Sequence, residues 1–371
     1  MKSTLSVVRV EPQPSQLGSP IRLPRVPAQT PFAERLTPTV APEILCGPDG
    51  QFAWRRHLSG EIRHTGATSG GKVFVGTPHS LHAVDLTSGA DVWTRAAKAR
   101  RSLFTAEGRI LVCERSQVVA FDTATGREEW KRSYRRPLPV AGENGAWLVV
   151  AGHGSTGSSR FDWIRADGTL MSGGLICGRA GGTPCVDGPR GYLRLRDGRI
   201  ARVDRNGTHR VSTGTRDASE PAVRGGTIYV QRSPSHPIAS EWNEAPRVLA
   251  DAIICADRHR IISFQPSGQA LRWMRRIVRD DSIPALLPPV VTSARIYVAT
   301  TDGQVAILDR ESGELLWTVS AGGELSAEPL VADGFLIVAT RAGTLLAMEV
   351  GDLDPMGWTM AGGGAARRRV E

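Results

Sequence analysis

Short apolar runs bounded by glycine and charged residues recur along this chain. Lys72-Val73-Phe74-Val75-Gly76 is followed by Leu81-His82-Ala83-Val84-Asp85, and Arg109-Ile110-Leu111-Val112-Cys113 by Val118-Val119-Ala120-Phe121-Asp122. Runs of this length and β-branched content predict buried strands rather than helices. Each second run leads into a polar turn ending in glycine, where a left-handed backbone is favoured. A third strand carrying a tryptophan follows, and a fourth lies between that tryptophan and the next unit.

The unit is a repeat. Ala83, Asp85, Gly89 and Trp93 recur as Ala120, Asp122, Gly126 and Trp130, 37 residues later. Asp309, Gly313 and Trp317 form a third copy that lacks only the alanine. A period near 40 residues with four antiparallel strands per unit predicts a β-propeller. The expected architecture is all-β: a single propeller of four-stranded antiparallel blades, seven in number with eight as the alternative. Gly50 to Trp54 keeps the glycine-to-tryptophan spacing with no blade before it. An N-terminal strand around Trp54 is therefore expected to complete the last blade and leave no open edge.

The weaker units are read the same way. Blade three has Arg165-Ala166-Asp167-Gly168-Thr169 but Leu170-Met171 where tryptophan is expected, and blade four turns at Arg205-Asn206-Gly207. Blade five joins Thr227-Ile228-Tyr229-Val230 to Arg260-Ile261-Ile262-Ser263-Phe264 and ends at Trp273, with an insertion over 231–258. Within it, Glu241, Trp242, Val248, Leu249 and Ile253 fit one face of a short helix. Blades six and seven run from Ile296 to Trp317 and from Phe335 to Glu349.

The motif residues have mechanical roles. Aspartate before a turn accepts backbone N–H groups of that turn. A tryptophan between blades buries about 200 Å², roughly 5 kcal/mol as an upper estimate.

On these residues the chain resembles the tryptophan-docking repeat (A-x-D-x-x-[ST]-G-x-x-x-W) of the pyrroloquinoline-quinone dehydrogenases and their non-enzymatic relatives. The resemblance covers about residues 50–350. It implies the fold and leaves the function open, because the family holds both enzymes and assembly scaffolds. The dehydrogenases are longer, exported, and carry adjacent cysteines near the cofactor. Here Cys46, Cys113, Cys177, Cys185 and Cys255 are scattered, with no C-x-x-C pair, zincin motif or nucleophile elbow. No catalytic, cofactor-binding or metal-binding residue is assigned, and the chain is read as a non-enzyme of the non-enzymatic branch. The scaffold precedent is the propeller lipoprotein of the outer-membrane β-barrel assembly machine, which the chain resembles in repeat type.

Flanking composition sets the domain boundaries. Residues 1–43 contain eight prolines and read as an extended arm, 44–358 as the propeller, and 359–371 as a disordered basic tail. Neither a secretory leader nor a lipoprotein cysteine is recognised, and no apolar run reaches membrane-spanning length. These readings make a cytoplasmic, bacterial-type, monomeric propeller the expectation, without membrane association.

The net charge is +9, carried by 46 Lys and Arg of which only Lys2, Lys72, Lys98 and Lys131 are lysine. The positives cluster after the tryptophans, as in Arg100, Arg101, Arg135, Arg136, Arg275 and Arg276. One reading is solvated outer strands of an arginine-rich chain; the other is a basic rim for an anionic partner. The leading functional expectation is a non-catalytic scaffold for a protein partner, with Trp242 as a candidate anchor. The alternatives are a small-ligand or quinone-binding channel and nucleic-acid binding through the basic rim.

Overall fold

In the computed structural model, consecutive strands pair antiparallel across turns of a few residues, so sequence neighbours become sheet neighbours. The structure describes residues 6–10 and, between 52 and 352, all but 63, 100–102, 144, 154–156, 212–219, 225–226, 233–244, 267–269, 279–283 and 326. Every regular element among them is a strand.

Strands β1 (Ser6–Val10) and β2 (Phe52–His57) precede the repeats. Blade one is β3 (His64–Ser69), β4 (Lys72–Gly76), β5 (Ser80–Asp85) and β6 (Asp91–Ala96). Blade two is β7 (Leu103–Ala106), β8 (Arg109–Cys113), β9 (Gln117–Asp122) and β10 (Glu128–Ser133). Blade three is β11 (Ala141–Glu143), β12 (Ala146–His153), β13 (Ser158–Arg165) and β14 (Leu170–Ile176). Blade four is β15 (Ala180–Asp187), β16 (Arg190–Leu195), β17 (Ile200–Asp204) and β18 (His209–Val211). Blade five has β19 (Ala222–Arg224) and β20 (Thr227–Arg232), with β1 paired on β20. Blade six is β21 (Arg247–Val248), β22 (Ile253–Ala256), β23 (Arg260–Phe264) and β24 (Leu271–Arg276). Blade seven is β25 (Val290–Val291), β26 (Arg295–Ala299), β27 (Gln304–Asp309) and β28 (Leu315–Ser320). Blade eight is β29 (Leu330–Ala332), β30 (Phe335–Ala339) and β31 (Thr344–Glu349), completed by β2.

The eight first strands lie innermost. β3 neighbours β7, β7 neighbours β11, β11 neighbours β15, β15 neighbours β19, β19 neighbours β21, and β29 returns to β3. The chain is thus a propeller closed by β2, on which Trp54 pairs with Ala347. The apolar core sits in the seams between blades. Phe74, Leu81 and Trp93 of blade one, for example, pack with Leu103, Ile110 and Val119 of blade two.

The count of eight comes from residues 222–276, which hold two sheets rather than one. The expected insertion over 231–258 is corrected accordingly. Its second half supplies β21 and β22, and Val248, Leu249 and Ile253 are strand and turn residues rather than a helical face. Leu249 N–H donates to the Ala252 carbonyl at 2.8 Å, which closes the hairpin between them. Glu241 and Trp242 lie outside the described residues.

The motif joins one blade to the next. Asp85 accepts Ser88 N–H and O–H at 2.8 and 2.7 Å, Asp122 accepts Thr125 N–H and O–H at 2.7 and 2.6 Å, and Asp309 accepts those of Ser312 at 2.7 and 2.8 Å. These bonds favour the ionised form and hold each carboxyl below the usual carboxylate range. The turn so fixed presents a bare glycine to the indole of the preceding blade. A Cβ on Gly89 would stand 2.6 Å from Trp54, on Gly126 2.6 Å from Trp93, on Gly168 2.7 Å from Trp130, and on Gly313 2.5 Å from Trp273. Each indole N–H then donates to the carbonyl just after the turn's first position. The pairs are Trp54 to Leu86 (2.8 Å), Trp93 to Thr123 (3.1 Å), Trp130 to Ala166 (2.8 Å) and Trp273 to Arg310 (3.1 Å). Trp317 departs from this pattern. Its indole nitrogen is buried without an acceptor, and the Arg295 guanidinium lies 4.9 Å over its ring.

Blade three inverts the pair. In blades one and two Trp93 and Trp130 face Ala83 and Ala120 across the strand pair; in blade three Trp163 of β13 faces Ser172 of β14. The docking position is therefore Ser172, not the expected Leu170-Met171, both of which are exposed. Ser172 Oγ donates to the Arg205 carbonyl at 2.6 Å, the acceptor position used by the other docks. Trp163 is fully buried in the neighbouring strand, so bulk has moved across the pair while the seam stays filled.

Where blade eight meets blade one, Arg56 pairs with Asp91 and His82 is buried beside them. The His82 ring contacts Ser80 Oγ at 2.7 Å and Thr94 Oγ1 at 3.1 Å. Burial lowers its pKa from the usual 6.5; nearby Asp91 opposes the shift and Arg56 adds to it. The native state therefore holds fewer protons than the unfolded chain below about pH 6.5. This contribution to stability is complete above that pH and is lost as pH falls through it. Urea midpoints at pH 7.5 and 5.5 should drop more for the wild type than for His82→Gln; equal drops would refute the assignment. The glycine dock has its own test. Gly126→Ala introduces both the indole clash and a non-glycine residue at φ +67°, whereas Gly108→Ala, at φ +73° with no atom near, carries the backbone strain alone. Gly126→Ala should cost about 3 kcal/mol and Gly108→Ala about 1 kcal/mol in urea unfolding.

Candidate interaction face

Strand alternation gives the ring two unlike faces. One carries the hairpins from first to second strand and the motif turns from third to fourth. The other carries the loops from second to third strand and the links from each outer strand to the next blade. Hydrogen bonds tie these loops to these links: Arg136 N–H to Arg115 O (3.1 Å), Arg196 N–H to Arg179 O (2.7 Å), Leu286 N–H to Arg258 O (3.0 Å) and Arg341 N–H to Glu324 O (2.7 Å). The motif face is held by its own turn bonds; on the linker face some side chains bridge loop and link, as Glu114 Oε1 accepts Lys98 N–H at 3.0 Å, and others are exposed.

The arginines that follow the tryptophans divide into two groups. Those two positions after a docking tryptophan reach across the seam. Arg95 Nε donates to Gly126 O at 2.8 Å and its Nη2 to Thr125 O at 2.9 Å; Arg132 Nη1 donates to Gly168 O at 2.6 Å; Arg56 pairs with Asp91. A W-x-R spacing marks them, at Trp54, Trp93 and Trp130, and Trp273 has the same spacing. Spacing alone does not separate an arginine that crosses a seam from one that meets solvent; the partner does.

The expected contact residues fall as follows. Arg135 and Arg136 are exposed on the linker face, with Arg136 at φ +50°. Arg275 is half-buried on β24, and Arg276, though exposed, donates to the Val278 carbonyl at 2.9 Å. Arg100, Arg101 and Trp242 lie outside the described residues. Two exposed arginines not singled out from sequence, Arg179 and Arg196, join the linker face one blade further on, and Arg115 lies beside Arg136. Their signal was weak, because none follows a tryptophan. Among the described residues, Arg115, Arg136, Arg179 and Arg196 on the linker face over blades two to four outnumber the acidic Glu114 and Asp197 of the same loops. On the opposite side of the ring Arg341 pairs with Glu61 and Glu324.

Other chemistry is spread out. An open cleft of about 430 Å³ at the rim of blades two and three is lined by Arg109, Arg127, Glu128, Glu129, Trp130 and Asp167; Arg109 and Glu129 pair across it at 2.5 Å. Among the described residues no group of three His, Cys, Asp or Glu side chains converges as a metal site. Cys255 is fully buried, and burial pushes its thiol up, away from the reactive thiolate.

Comparison with known proteins follows the fold. A family model described as outer membrane protein assembly factor BamB matches residues 44–158 and 257–361. A 78-residue segment is 38% identical to outer membrane protein assembly factor BamB of Shewanella oneidensis, covering 19% of this chain and 20% of that relative. The chain thus spans about a fifth of the curated relative it matches. The crystal structure of BamB from Moraxella catarrhalis superposes with a TM-score of 0.61 at 16% identity, over 81% of this chain and 99% of that one. Quinohemoprotein alcohol dehydrogenase ADHIIG from Pseudomonas putida HK5 superposes with a TM-score of 0.57 at 12% identity, over 81% of this chain and 76% of that one. At these identities the two structures establish the shared PQQ-like propeller fold. The expected cytoplasmic location is corrected by the family match: the matched factor is named for the outer membrane, and the cytoplasmic reading rested on a leader, a lipoprotein cysteine and a membrane-length apolar run that were not recognised.

Proposed function

The chain belongs to the family of outer membrane protein assembly factor BamB, and from that membership we propose that it is a non-catalytic propeller scaffold serving an assembly of outer membrane proteins. Membership is the observation that carries the reading. The linker face indicates where the scaffold engages: Arg115, Arg136, Arg179 and Arg196 offer an acidic protein surface a set of guanidinium groups on rigid blades. Arg115 and Arg196 sit in loops and Arg136 and Arg179 in links, and each loop is hydrogen-bonded to its link, so little ordering is needed on binding. The shared fold of the alcohol dehydrogenase leaves quinone chemistry as an alternative.

The test is charge reversal on the full chain: Arg115→Glu, Arg136→Glu, Arg179→Glu and Arg196→Glu together. Tagged protein purified from its host at low salt, with nuclease, is expected to retain a stoichiometric partner identified by mass spectrometry as an outer membrane assembly component. The quadruple variant, with its melting temperature unchanged, should lose that partner at least tenfold, as should the wild type in high salt. Equal retention by both proteins, or recovery of nucleic acid alone, would refute the basic face as the docking surface.

A further inference from the structure

Blade five is built unlike the rest. Seven of the eight sheets contain four strands, and their outer strands come either from the same repeat or, in blade eight, from the ring-closing β2. Among the described residues blade five has two strands of its own, and its third is β1, from the far end of the chain. β1 runs antiparallel to β20 from Ser6 opposite Arg232 to Val10 opposite Ile228.

The packing of blade five does not call for this strand. Val223, Ile228 and Val230 pack with Tyr192 and Ile200 of blade four, while Ala222 and Tyr229 join the apolar cluster of blade six. Both faces of β19 and β20 are thus covered by neighbouring blades. What β1 adds is pairing for the outer backbone edge of β20, which would otherwise present a row of open N–H and C=O groups. Pairing of this kind is tolerant of sequence, because the main chain supplies the hydrogen bonds. β1 and β2 are separated in sequence by the 41 residues 11–51. A strand held in cis has a finite effective concentration, so a partner strand of sufficient affinity can compete with it.

We propose that the outer edge of β20 is a strand-acceptor site, held in cis by residues 6–10 and available in trans to an extended segment of a partner protein. The occupant's chemistry is that of β1 itself: at least five residues, β-branched, free of proline, added antiparallel. Entry of a partner strand displaces β1 and releases the chain before β2 from blade five. The proposal rests on the scaffold reading for the existence of a partner, but its test requires none, so failure here leaves the basic face untouched.

The probe is a fluorescent peptide of residues 3–13, titrated into full-length protein carrying Val8→Pro and Arg9→Pro. Consecutive amides of a strand point to opposite sides, so this pair removes a β20-facing donor in either register. With the variant's melting temperature and circular dichroism unchanged, the peptide should bind saturably to the variant and at least tenfold more weakly to the wild type. Binding should slow amide exchange across Thr227–Arg232. No uptake by the folded variant, or uptake that leaves exchange at 227–232 unaltered, overturns the proposal. Should the prolines unfold the protein, exchange in the wild type decides instead. Amides of 227–232 that open locally before the rest of the ring support an exchangeable strand; opening only with global unfolding overturns it. Concentration-dependent dimers of the wild type without peptide uptake would assign the edge to a second copy of the chain and overturn it as well.

Discussion

The ring depends on an indole lying flat on a glycine. Each propeller blade is a small sheet with two apolar faces and little core of its own, and its stability comes from the seam with its neighbour. Four seams use the same device: tryptophan on an outer strand, a positive-φ glycine beneath it, and an indole N–H bond to a turn carbonyl. The contact distance explains why the glycine is needed on two counts, conformation and space, since any Cβ there would stand within 2.7 Å of the ring. The aspartate acts earlier in the same chain of causes. Its hydrogen bonds fix the turn that presents the glycine, and the arginine two residues past the tryptophan then grips that turn's carbonyls at Gly126 and Gly168.

This dependence also governs what was legible in the sequence. Where the dock is intact, at Trp54, Trp93, Trp130 and Trp273, the strand order and the ring closure by β2 follow from spacing alone. Legibility fails where the dock changes form. Blade three moves the tryptophan one strand inward to Trp163, so a search for an outer tryptophan lands on exposed Leu170 and Met171 and misses Ser172. No tryptophan dock marks blade five among the described residues, and without that marker β19 and β20 merged with the strands of blade six into one oversized unit. The very short β21, two residues long, adds little periodic signal of its own.

The candidate face was legible only in part, for an electrostatic reason. A run of arginines reads the same in sequence whether it crosses a seam or meets solvent. Arg95 and Arg132 cross, while Arg136 projects, and the difference lies in a partner carbonyl some 31 to 36 residues away for the first two. Arg179 and Arg196 drew no attention because they follow no tryptophan, yet backbone hydrogen bonding puts them on the same face as Arg115 and Arg136.

The two faces of the ring therefore divide the labour that the repeat imposes. The turns of the motif face must keep aspartate, glycine and a free carbonyl for docking, so their sequence is held to structural use. The loops and links of the opposite face are joined by backbone bonds such as Arg196 N–H to Arg179 O, which any non-proline residue can make, together with side-chain bonds such as Lys98 N–H to Glu114 Oε1 and Arg341 to Glu61. Exposed side chains outside those bonds, Arg115, Arg136, Arg179 and Arg196 among them, can change without removing the backbone bond their own residue makes. The repeat motif therefore demands least of the linker face, where these four arginines gather over blades two to four.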